Sequence, residues 1–147
     1  MIEVEVEDDA WTDSLADVEA VVLRAAGQAA PPGDVAVLLT DDRTVRDLNV
    51  RFRDRDRPTN VLSFPAPDTA RPHLGDIVLA HGVCAAEAKN QGKTLADHLS
   101  HLVIHGVLHL MGHDHEAEAE AEAMEARERM LLAGIGVPDP YLSRNDI

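Results

Sequence analysis

The segment His105-Gly-Val-Leu-His109-Leu-Met-Gly112-His113-Asp114-His115 places four histidines within eleven residues. His105 and His109 lie four apart in an apolar run of helical character. On a helix that spacing sets both imidazoles on one face, about 6 Å apart along the axis. Gly112 follows, and a glycine can take positive φ there and end the helix. The chain can then turn back and carry His115 to the same point. Three neutral imidazoles with a fourth position open is the layout of a catalytic zinc site, so the segment points to a metal-dependent hydrolase. The ligands read from it are His105, His109 and His115. His113 sits in the same turn and competes for the third place, but chain reversal after Gly112 favours His115. Asp114, between them, can orient a histidine or handle a proton.

The spacing of the three ligands matches the zinc-binding segment of metzincin proteases, with one difference. Those proteases carry glutamate directly after the first histidine, as general base toward the attacking water. Here that position is Gly106, which has no side chain. Peptide hydrolysis therefore lacks its proton acceptor, and phosphodiester hydrolysis fits better. A metal polarises a phosphoryl oxygen, and an arginine can hold the phosphate by a two-pronged contact. Arg51, Arg53, Arg55 and Arg57 offer candidates. As a group they read as an ordinary charged loop offset by Asp54 and Asp56, from which a single arginine could enter the site. His98 and His101 extend the helical stripe upstream of His105. His101 reads equally as support for the site or a substrate contact and as a partly buried histidine paired with backbone or a carboxylate, and His98 reads as structural.

Composition bounds the rest. The chain has 147 residues and 45% hydrophobic content, enough for one domain, 1–147, around one core. A net charge of −14 argues against broad, non-specific binding to nucleic acid or an anionic membrane. RNA contact must then be local, and six of the thirteen basic residues do fall between Arg43 and Arg57. Cys84 is the only cysteine, so no internal disulfide forms and a reducing compartment fits. The acidic N-terminus is no signal peptide and no apolar run approaches a membrane span, so a cytoplasmic protein is expected.

Apolar–acidic alternation predicts a strand at Ile2–Val6, and short apolar runs predict strands at Val35–Leu39, Asn60–Phe64 and Asp76–Ala80. Helices are expected from Thr12 or Asp13 to Gly27, from Thr40 toward Phe52, and from Gly82 to Asn90. Two more follow, from a Thr94 cap to Met111 and from Glu116 to Leu132. Residues 65–75 read as an exposed loop. Mixed strands and helices without strict alternation predict an α/β or α+β sandwich with a small, largely parallel sheet.

Residues 105–115 also resemble the metal motif of the YbeY family, bacterial endoribonucleases of ribosomal RNA maturation. Leu48-Asn49 with Phe52-Arg53, then Arg57-Pro-Thr-Asn-Val-Leu-Ser-Phe-Pro65, resembles that family's upstream block. Gly75-Asp-Ile-Val78, Glu87-Ala88, Gly92, Met124-Glu125 and Asp139-Pro-Tyr141 fit later blocks. The departure is His113, where the family usually carries tyrosine. The resemblance implies an α+β fold, with the metal helix packed on a four-stranded sheet and the metal site at the end of that central helix. It implies one zinc ion on His105, His109 and His115, with Arg53 facing the metal and needed for activity. It implies RNA as substrate, in small-subunit ribosomal RNA 3′-end processing and ribosome quality control, and a ribosome or small-subunit ribosomal protein as partner. The competing readings are a zinc peptidase-like hydrolase and a non-catalytic ribosome-assembly factor whose metal is structural.

Overall fold

Alternation of apolar and acidic residues in Ile2-Glu-Val-Glu-Val6 gives strand β1 (Ile2–Val6) one wet face and one buried one. The structure, a computed structural model, describes residues 1–113 and 116–142. β1 pairs in parallel with β2 (Asp34–Thr40), and β2 in parallel with β4 (His73–Ala80). β3 (Val61–Pro65) closes the order β1-β2-β4-β3 and runs antiparallel to β4. The fold is α+β with a mixed four-stranded sheet, as the resemblance implied.

The helices are α1 (Ala10–Ser14), α2 (Val18–Gln28), α3 (Asp42–Arg53), α4 (His81–Asn90), α5 (Leu95–Leu110) and α6 (Glu118–Ala133). One sheet face, carrying Val35, Val37, Leu39, Ile77 and Leu79, packs into the main core with α2, α5 and α6. The other face packs Leu62, Val78 and Ala80 against Val45 of α3. Local chemistry sets the helix ends. Asp41 caps α3 by accepting from the Thr44 amide at 2.7 Å, and Thr94 caps α5 by accepting from the Asp97 amide at 3.1 Å. No helix among the described residues is long and apolar enough to cross a membrane.

Two segments differ from the sequence expectation. The helix expected from residue 12 or 13 to residue 27 is two helices, broken at Leu15. Trp11 is fully buried and its indole nitrogen donates to the Thr40 carbonyl at 2.9 Å, so the first turn is pinned to the sheet. β4 starts at His73, inside the stretch expected to be loop. Gly75 permits this, because a Cβ there would collide with the Phe64 carbonyl and the Leu110 side chain.

Candidate metal centre

α5 runs through the core, so nearly every side of it is covered. From His98 to Leu110 its residues are buried except His101, His105 and His109, which are half-buried at i, i+4 and i+8. Over that span the stripe is thus the wet seam of a buried helix. Gly106 lets the helix sit low on the sheet, since a Cβ there would lie 3.0 Å from Ile77 side-chain atoms. A carboxylate at position 106 would enter the core rather than the site. The missing protease base is therefore excluded by packing as well as by sequence.

The His105 ring connects two environments. Its Nδ1 lies 3.0 Å from Oε1 of Glu128, and its Nε2 lies 3.1 Å from Nε2 of His109. A carboxylate only accepts, so Nδ1 carries the proton and the Nε2 lone pair points toward His109. Tetrahedral zinc with Zn–N bonds near 2.0–2.1 Å holds two imidazole nitrogens about 3.3 Å apart. The observed separation is within a few tenths of that, so the pair fits a shared metal ion.

Glu128, fully buried on α6, gathers the other side of the stripe. Its Oε1 is 2.8 Å from His101 Nε2, and its Oε2 accepts from the Tyr141 hydroxyl at 2.8 Å. The ligand atoms of His101, His105 and Glu128 lie within 4.8 Å of one another, close enough to hold a metal ion. Burial alone would raise the Glu128 carboxyl, but the His101 and His105 hydrogen bonds outweigh it and hold it down at about 2. Burial, then the Glu128 charge, pushes the Tyr141 phenol up, so it stays a donor.

The end of α5 turns as the sequence anticipates. Gly112 has φ +99°. The His113 amide donates to the Leu108 carbonyl and the Gly112 amide to that of His109, both at 3.0 Å. That pair of bonds is a Schellman motif, which reverses the chain beside the histidines. His113 then lines the same cleft as His105 and His109. Asp114 and His115 lie outside the described residues.

That cleft, about 810 Å³, is also lined by Arg53, Arg55 and Arg57. The segment after α3 sorts its charges. It leaves the helix at Asp54, in the left-handed region at φ +55°. The arginines at alternate positions then line the cleft, whereas Asp56 turns away to pair with Arg46 at 2.7 Å. Neither Asp54 nor Asp56 is among the residues that line the cleft. Arg53 is held by donating to the Ser63 carbonyl at 2.7 Å and lies 5.6 Å from the centre of the Phe64 ring. A second cleft, about 790 Å³ between α3 and β1, is lined by apolar residues and Glu3, Glu5, Glu19 and Asp76. It holds no histidine or arginine, so it does not suit phosphate chemistry.

The fold thus brings His105, His109 and Arg53 to one cleft. It turns His101 inward to Glu128. His98 is buried on Glu87 at 2.9 Å, in line with a structural role, and Cys84 is a buried core residue. Nothing in the sequence readings above marks Glu128 or Tyr141 as a site residue. A signal for Glu128 was present: with Met124, Leu131 and Leu132 it shares the buried face of α6, and a lone carboxylate in an apolar stripe needs partners.

A sequence model of the endoribonuclease YbeY family matches residues 2–136. The chain belongs to that family. Endoribonuclease YbeY of Maricaulis maris is 51% identical to it, over 95% of this chain and 91% of the relative. Endoribonuclease YbeY of Paramagnetospirillum magneticum is 48% identical, over 95% and 94%. YbeY relatives thus span the helices and strands that build the cleft. A Thermotoga maritima protein solved in solution has the same fold, with TM-score 0.58, 24% identity and coverage of 97% of this chain and 99% of that one.

Proposed function

We propose that the protein is a zinc-dependent endoribonuclease that acts in the cytoplasm on ribosomal RNA, in small-subunit 3′-end processing and ribosome quality control. One observation carries the chemistry: two imidazole Nε2 atoms converge to 3.1 Å in a cleft also lined by three arginines. His105 and His109 would hold the ion, with His115 as third ligand from the turn after Gly112. When bound, zinc supplies Lewis acidity, polarising a phosphoryl oxygen and making water a stronger acid.

The chain's own residues do the rest. Arg53 offers a planar, always charged fork to the scissile phosphate and stabilises the negative charge that develops there. To do so it exchanges the Ser63 carbonyl for a phosphate oxygen, a stronger acceptor. Arg55 and Arg57 draw the RNA backbone into the cleft, a local positive field on a body of net charge −14. Asp114 handles a proton. The relatives, named as endoribonucleases, support RNA as substrate. A ribosome or small-subunit ribosomal protein as partner rests on the family resemblance, and such a partner would help an acidic protein reach RNA.

The test is product analysis on a small-subunit ribosomal RNA precursor with metal-loaded protein. A new 5′-phosphate or a 2′,3′-cyclic phosphate, lost in His105→Ala, supports the proposal. Cleavage of peptides instead would support a zinc peptidase. Neither product, with unfolding on chelation, would support an assembly factor with a structural metal.

A further inference from the structure

Glu128 and the C-terminal segment Asp139–Tyr141 have no part in the proposed reaction, yet the molecule builds carefully around them. Glu128 is a fully buried carboxylate with both oxygens engaged. Buried carboxylates are costly unless paired, so this one should have a task. Tyr141 is brought to it by a short, braced segment. Its amide donates to Asp139 Oδ1 at 2.9 Å, Asp139 Oδ2 pairs with Arg129 Nε at 3.2 Å, and Arg129 lies 5.3 Å from the Tyr141 ring centre. Lys93 donates to the Pro140 carbonyl at 3.0 Å and ties the segment to the turn before α5.

We propose that Glu128 is a positioning residue for the metal centre and that Tyr141 locks it in place. Glu128 accepts a hydrogen bond from the Nδ1–H of His105, which leaves Nε2 as the nitrogen facing His109 and fixes the ring plane. Tyr141 satisfies the far oxygen, so the carboxylate cannot swing toward the ion and become a ligand itself. His101, bonded to the same Oε1, holds the near oxygen from the preceding helical turn. His101, His105 and Glu128 therefore act as a scaffold behind the metal rather than as its three ligands. The inference rests on the reading of His105 and His109 as ligands, but its first test does not need the metal.

The experiment uses full-length protein with ¹⁵N-labelled histidine, the His105 signals being assigned with His105→Gln. In metal-free protein, His105 should show a protonated Nδ1 and an unprotonated Nε2. Glu128→Gln should give a mixture of tautomers, and Tyr141→Phe should keep the native one. Zinc affinity, measured by chelator competition, should fall about 10–100-fold in Glu128→Gln. It should fall less in Tyr141→Phe and stay unchanged in Glu122→Gln, an exposed α6 control with the same charge change. In zinc-loaded protein His105 should keep its Nδ1 proton. An unchanged tautomer in Glu128→Gln, or zinc affinity equal to the Glu122→Gln control, overturns the role of Glu128. Zinc bound through Nδ1 would make Glu128 a ligand and overturn it too. Wild-type affinity in Tyr141→Phe removes the lock. Retention of zinc by His105→Ala would instead refute the ligand assignment, whatever the tautomer.

Discussion

Arg53 and His105 are about fifty residues apart in sequence and line one cleft. Arg53 is exposed, so its loss should cost the fold within about 0.5 kcal/mol. A preorganised contact to the transition state typically contributes about 10²–10³ in rate. Single-turnover cleavage by Arg53→Ala should therefore fall by that factor, with zinc content and melting temperature unchanged. Arg53→Lys should also be impaired, since an ammonium lacks the fork. Arg55→Ala and Arg57→Ala should weaken RNA binding and flatten its salt dependence more than they slow the bound substrate. Arg51→Ala, whose residue lies outside the cleft lining, is the control. Equal small losses at all four positions would reduce Arg53 to one of several attracting charges. His113→Tyr should retain zinc, measured by metal analysis, because the third ligand is taken to be His115.

At the scale of elements, the site depends on how α5 begins and ends. Thr94 caps its first turn, so Thr94→Ala should cost about 1 kcal/mol and leave zinc affinity alone. Gly112 ends it at φ +99°, a conformation that L side chains rarely adopt. Gly112→Ala should cost about 1–3 kcal/mol and also weaken zinc, because the turn that carries His113 onward is redirected. Denaturant unfolding of the metal-free variants, beside chelator competition, separates the two effects. If both variants lose stability alone, the turn after α5 does not position a ligand.

At the scale of the whole molecule, the proposed zinc would bind the folded state and tie α5 to the following turn. Free zinc at 100 times its dissociation constant should stabilise by about 2.7 kcal/mol, raising Tm by several degrees. The core runs from Trp11 through Val107 to Leu132 without the metal, so the metal-free protein should keep native circular dichroism. Cys84 supplies a second probe. It is buried, and burial pushes its thiol up, so it should resist iodoacetamide until the protein unfolds. A random-coil spectrum or rapid labelling on chelation would make the metal structural.

The sequence by itself determined what is local. Alternation marked β1 and short apolar runs marked the other three strands, the Thr94 cap and Gly112 marked the ends of α5, and i, i+4 spacing put His105 and His109 on one face. These depend on neighbours within a turn or two, so periodicity and capping chemistry suffice to read them. The tertiary structure decided what is distant. It broke the first predicted helix because Trp11 reaches the sheet, and it recruited His73–Gly75 into β4 through pairing with β2 and β3. It sorted Arg53, Arg55 and Arg57 into the cleft while Asp56 turned to Arg46, and it set Glu128 and Tyr141 behind His105. Each of those partners comes from another element, and only packing the helices on the sheet fixes which side chains meet.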